Sequence, residues 1–97
     1  MTAGTGTARR FVVSGRVQGV GFRYFVVREI GALGVAGWVR NLPDGRVEVV
    51  VTGDAAQFAA VEGRLWQGPP HADVAEVTSS EVEAPRWTDF RVLPTPW

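Results

Sequence analysis

Apolar positions along the chain recur with two different periods, and the switches between them mark the elements. Residues 9–15, RRFVVSG, are β-branched and aromatic and read as a strand closed by a glycine turn. From Phe22 the spacing changes: Phe22, Phe25, Val26, Ile30 and Leu33 form the stripe of a helix. Gly34 follows Leu33 and is placed to cap that helix in the left-handed conformation. The run Phe25-Val26-Val27 favours strands locally, so spacing rather than propensity carries the helix. Residues 35–42, VAGWVRNL, return to strand character. Pro43-Asp44-Gly45 is a turn signal, and 46–53, RVEVVVTG, completes a hairpin. Asp54 with Gln57 three residues later has the form of a capping box opening a second helix. Phe58, Val61 and Leu65 would be its buried face, and Gly68-Pro69-Pro70 its stop. Residues 72–83 and 87–93 read as two further strands. In the last, Thr88, Phe90 and Val92 alternate with Asp89 and Arg91.

The order is therefore β-α-β-β-α-β-β, and its first six elements have the split βαβ pattern. This predicts an α+β fold, a ferredoxin-like βαββαβ sandwich: an antiparallel sheet of four main strands with two helices on one face. The short last strand extends the sheet. Residues 1–8 read as a flexible tail and 9–97 as a single domain, with no repeat or linker. In a βαβ unit the two strands run parallel, so their C-terminal ends share an edge. The first strand ends in a glycine-rich loop and the second at Asn41-Leu42, which places Asn41 at the edge where the loop and first helix begin.

Composition narrows the function. A chain of 97 residues that is 45% hydrophobic supports one globular core. No apolar run reaches membrane length, and MTAGTGTA lacks the form of a signal peptide, so a cytoplasmic protein is expected. Ten basic residues, all arginine, balance ten acidic ones. That neutrality lacks the footprint of a nucleic-acid binder, and a monomer with neither nucleic-acid nor membrane partners is expected. The absence of cysteine excludes disulfides, thiolate metal sites and cysteine nucleophiles. The single histidine, His71, leaves no histidine cluster for a metal and reads as a solvated loop residue. Trp38 and Trp66 read as core, Asp44 as a turn residue, and Glu76, Glu81 and Glu83 as a solvated strand face.

The stretch SGRVQGVGFRYF, residues 14–25, carries the chemistry. Gly15, Gly19 and Gly21 leave amide N–H groups uncovered, able to converge on an anion. The helix beginning near Phe22 adds free N–H groups and the positive end of its dipole. Arg23 in the first turn opposes that dipole, a conflict that an anion between them removes. A guanidinium can hold two phosphate oxygens, each charge-assisted hydrogen bond contributing roughly 1.5–3 kcal/mol. Phosphate or a phosphate monoester suits this geometry. The loop is neither GxGxxG nor a Walker loop, for it lacks the lysine and the Ser/Thr. A tight connection would account for the loop alone, and turn formation for Asn41 alone. Loop, arginine and asparagine at one edge favour a site.

At these residues the sequence resembles the acylphosphatase family. The signature G-x-V-Q-G-V-x-F-R stands as Gly15-Arg16-Val17-Gln18-Gly19-Val20-Gly21-Phe22-Arg23, and G-W-V-R-N as Gly37-Trp38-Val39-Arg40-Asn41, followed by Asp44-Gly45 and a valine-rich strand. The resemblance runs from about residue 9 to 93. It implies hydrolysis of the carboxyl-phosphate bond of a small acyl phosphate, giving a carboxylate and inorganic phosphate, with no cofactor and no metal. It further implies that Arg23 binds the phosphoryl group together with the backbone amides of Arg16, Val17, Gln18, Gly19, Val20 and Gly21, and that Asn41 positions the attacking water. The departures are a longer N-terminal tail and the Pro-rich end LPTPW. One alternative is a non-catalytic phosphate- or phosphoprotein-binding regulatory module of the same fold, expected to lose the arginine or asparagine that this chain keeps. RNA recognition is the other. It needs aromatics on the third strand, where RVEVVVTG has none.

Overall fold

The first strand is apolar on both faces, and its position in the sheet explains why. In the computed structural model, which describes residues 7–84 and 86–96, β1 (Thr7–Arg16) lies between two other strands. It buries Phe11 and Val13 on one face and Ala8 and Val12 on the other. The remaining elements are α1 (Phe22–Gly31), β2 (Gly37–Asn41), β3 (Val47–Thr52), α2 (Ala55–Gln67), β4 (Asp73–Glu83) and β5 (Phe90–Val92). The sheet order is β4-β1-β3-β2-β5, and the first four strands pair antiparallel. This is the ferredoxin-like sandwich expected from the element order. The fifth strand extends the sheet but runs parallel to β2, making the sheet mixed. β4 runs opposite to β2, and one reversal of the chain after β4 returns β5 along it.

Phe11, Val13, Val39, Val47, Val49 and Val51 pack with Phe22, Phe25, Val26 and Ile30 of α1 and Val61 and Leu65 of α2 in one core. The capping box forms as the sequence predicts. Gln57 N–H donates to Asp54 Oδ1 at 2.8 Å, and Asp54 N–H donates to Gln57 Oε1 at 3.0 Å. Several boundaries differ from expectation, two of them for clear physical reasons. α1 stops at Gly31, two residues before Leu33, and the chain leaves through a turn in which Leu33 N–H donates to Ile30 O and Gly34 N–H to Gly31 O. Gly34, with φ +78°, thus ends that turn rather than the helix itself. Thr7 and Ala8, placed in the tail by sequence, belong to β1, where Ala8 pairs with Thr52 and Val82; residues 1–6 lie outside the described residues. Trp66, expected in the core, is exposed because it follows Leu65 on the helix and points off the buried stripe. Trp38 alternates with the buried Val39 and is half-buried on the face away from the helices, where the Arg40 guanidinium lies 4.7 Å from its ring centre.

On that face Glu48 is 4% exposed although no helix or second sheet among the described residues covers it. It is enclosed by Arg40, whose Nε donates to Oε1 at 2.6 Å, and by Arg10, which bonds Oε2. Arg40 stands directly opposite Glu48 in the ladder, and Arg10 is diagonal to it, since Glu48 pairs with Val12. The triad ties β1, β3 and β2 together across the sheet. Because both guanidinium groups keep partial contact with water, Glu48→Ala is expected to lower the unfolding free energy by about 2 kcal/mol, below the range for fully buried pairs. Urea denaturation measures this directly.

Candidate active site

The site begins where β1 bends. The β1–β4 register shifts between Ser14 and Gly15, a bulge that re-aims the chain out of the sheet. Gly15 has φ +120°, and a Cβ there would lie 2.2 Å from the Asp73 carbonyl oxygen, so only glycine fits. Val17, fully buried, pins the loop that follows into the core. Gly21 then takes φ +79° and serves as the N-cap of α1 without any side-chain cap, and the first turn of that helix holds no acidic residue. Phe25 N–H donating to Gly21 O at 3.0 Å is the first bond of the helix. The amides before it therefore have no intrahelical acceptor. The same chain caps α2 with Asp54, so the omission is local to this loop.

Arg23 stands exposed in that uncapped first turn. Arg10, Arg28, Arg40, Arg46, Arg64 and Arg91 each face a carboxylate. Arg23 faces none among the described residues. Across from it, Asn41 is the last residue of β2 and half-buried. A cleft of about 480 Å³ joins Val17, Gln18, Gly19, Gly21, Phe22 and Arg23 to Asn41, within the size range of small-molecule sites. The shared strand edge inferred from element order thus becomes one cleft. Arg16 and Val20 do not line it. Arg16 is the last residue of β1 and pairs with Asp73, while Val20 packs against the core. His71 is exposed and outside the cleft. Among the described residues no three His, Asp or Glu side chains gather into a metal site.

The Gln18 side chain has a structural task of its own. Its Nε2 donates to Leu42 O and to Arg46 O, both at 2.9 Å. These are the carbonyls of the β2–β3 turn, in which Leu42 N–H donates to Arg46 O and Gly45 N–H to Leu42 O. Asp44 closes the turn by accepting from Arg46 N–H at 3.1 Å and Arg46 Nε at 2.8 Å. The backbone N–H of Arg46, helped by its guanidinium, holds the Asp44 carboxyl below the usual carboxylate range. The turn role expected of Asp44 is the one it has. Gln18 therefore clasps the loop to the residues that immediately follow Asn41. The sequence carried one hint of this, an amide side chain set among glycines and valines.

The acylphosphatase family model matches residues 9–92. The chain belongs to the acylphosphatase family. An acylphosphatase of Nitrosococcus oceani is 48% identical over 86 residues, covering 89% of this chain and 97% of its own. Another, from Xanthomonas euvesicatoria, is 52% identical over 83 residues, 86% and 94% of the two chains. The structure of an acylphosphatase from Coxiella burnetii superposes with a TM-score of 0.84 at 40% identity, covering 90% of this chain and 92% of that one. As an acylphosphatase, this chain is a hydrolase that splits acyl phosphates into a carboxylate and inorganic phosphate. In an acylphosphatase built this way the Gln18 clasp sets the distance between loop and asparagine. Gln18→Ala is expected to lower kcat on the order of tenfold or more through that misplacement. The inhibition constant of inorganic phosphate, measured alongside, should stay within about threefold because Arg23 and the helix amides remain.

Proposed function

We propose that water attacks the phosphorus of a bound acyl phosphate directly, with neither a metal nor a covalent intermediate. Arg23 and the amides of the loop and the α1 N-terminus hold the phosphoryl oxygens, and the Asn41 side chain orients the water. The observation that carries this reading is the uncapped N-terminus of α1 beside an unpaired arginine and facing Asn41. Among the described residues these two positive features meet no acidic side chain, and together they call for an anion. Phosphoryl transfer needs chiefly positioning and stabilisation of charge on the equatorial oxygens. A carboxylate leaves without a general acid, so the sparse site is sufficient. The proton of the attacking water passes to a phosphoryl oxygen of the substrate, which supplies the base that the cleft lacks.

The same reading has the enzyme acting in the cytoplasm as a monomer, without a nucleic-acid partner. Its zero net charge weighs against a nucleic-acid partner, and among the described residues no helix is long and apolar enough to cross a membrane. A regulatory module that only bound phosphate or a phosphoprotein would use the loop and Arg23 but would give Asn41 no task.

Two variants separate binding from turnover. Arg23→Gln is expected to lower kcat/KM for benzoyl phosphate by at least about 10²- to 10³-fold, the loss typical of one preorganised donor. Asn41→Ala should reduce kcat on a similar order while the inhibition constant of inorganic phosphate stays within about threefold. Equal loss of both quantities in Asn41→Ala would argue that the asparagine holds phosphate rather than water.

A further inference from the structure

A second opening, of about 520 Å³, lies between α1, α2 and the loop that follows α2. Phe25, Arg28 and Glu29 face it from α1, whereas Phe22 and Arg23 face the catalytic cleft, and no described residue lines both. Two guanidinium groups share one carboxylate here. Arg64 Nη1 donates to Glu29 Oε1 at 2.7 Å, and Arg28 Nε donates to Glu29 Oε2 at 3.2 Å. Two positive charges against one negative leave a surplus of one in the lining. Among the described residues the other N–H groups of both guanidiniums, and the Gln67 side-chain amide, have no protein acceptor. Each arginine stands in the last turn of its helix, where a cation suits the dipole. That accounts for their sign but not for their meeting over one opening.

The floor of this opening is apolar and preformed. Phe25 and Pro69 are buried, and the Phe25 ring packs tilted against Phe22 at 5.9 Å. Gly68 has φ +63°, and a Cβ there would lie 3.2 Å from the Phe22 ring, which fixes the loop against the helix. Arg28 is held in turn by Tyr24, whose ring centre lies 5.6 Å from the guanidinium. Groups already in place lower the ordering cost of binding. We infer that this cleft is a second ligand site, separate from the catalytic one, which takes a small carboxylate with an apolar body. A planar carboxylate matches the guanidinium fork, its single charge matches the surplus of one, and its body lies on Phe25 and Pro69. A phosphate dianion would exceed that surplus and leave the apolar floor unused. The hydrolase itself releases a carboxylate, so ligands of this class arise wherever it turns over.

NMR titration of the full chain with benzoate, in excess inorganic phosphate to fill the catalytic cleft, tests the site. Saturable shifts are expected at the Arg64 Nε–H, the Gln67 side-chain amide and the Gly68 N–H, with a dissociation constant of about 1 mM. Arg64→Met keeps the aliphatic stem but removes one fork, and should weaken this binding about tenfold, the effect of one charge-assisted hydrogen bond. Glu29→Gln keeps the shape but removes the competing negative charge, and should tighten it about two- to fivefold. General loosening of the fold would weaken binding in both variants, so the opposite signs are specific to the site. Absence of saturable shifts at residues 64–68, or shifts confined to Gly19, Gly21 and Arg23, would overturn the inference. So would equal affinity in Arg64→Met, or a Glu29→Gln variant that fails to bind more tightly. None of these results touches the hydrolase reading, which rests on the other cleft.

Discussion

At the start of α1 the backbone presents amide N–H groups that receive no side-chain cap, and Arg23 adds a full positive charge to the same turn. A helix end of this kind is unfavourable on its own, since a cap contributes roughly 1 kcal/mol and a cation near the N-terminus opposes the dipole. The helix forms because its other face is committed to the core: Phe22, Phe25, Val26 and Ile30 are all buried. Tertiary burial therefore holds open a positive concavity that local helix chemistry would have filled. The same chain fills the matching position of α2 with Asp54 and Gln57.

The sheet supplies the second half of the site. β3 separates β1 from β2 in the ladder, so the loop after β1 and the end of β2 are brought to one edge without being neighbours. Two cross-sheet ties span that gap. On the face away from the helices Glu48 joins Arg10 to Arg40. At the edge Gln18 joins the loop to the carbonyls of Leu42 and Arg46. The site is thus built on rigid elements: a loop pinned by Val17, a helix pinned by its apolar stripe, and an asparagine held by its strand.

The sequence displayed the fold through its periodicities, and with it the edge shared by the glycine loop and Asn41. Boundaries were less legible where two signals competed. The apolar stripe reaches Leu33, which does pack against the core, but the helix has already ended at Gly31 and Leu33 reaches the core from a turn. Trp38 and Trp66 looked like core because of their size, whereas their alternation with Val39 and Leu65 decides their faces. The direction of β5 could not be read, for it depends on how the chain reverses after β4 rather than on residue pattern. Side-chain partners over long sequence separations stayed hidden as well. Gln18 bonds residues 24 and 28 positions away.

In the proposed reaction water reaches phosphorus at a site of amides, one arginine and one asparagine. Hydrolysis of benzoyl phosphate in heavy-oxygen water, with a chelator in excess, tests this most directly by following the label with mass spectrometry. Direct attack at phosphorus gives an undiminished rate and label in the inorganic phosphate alone. Label in the benzoate, or a rate abolished by the chelator, would contradict it.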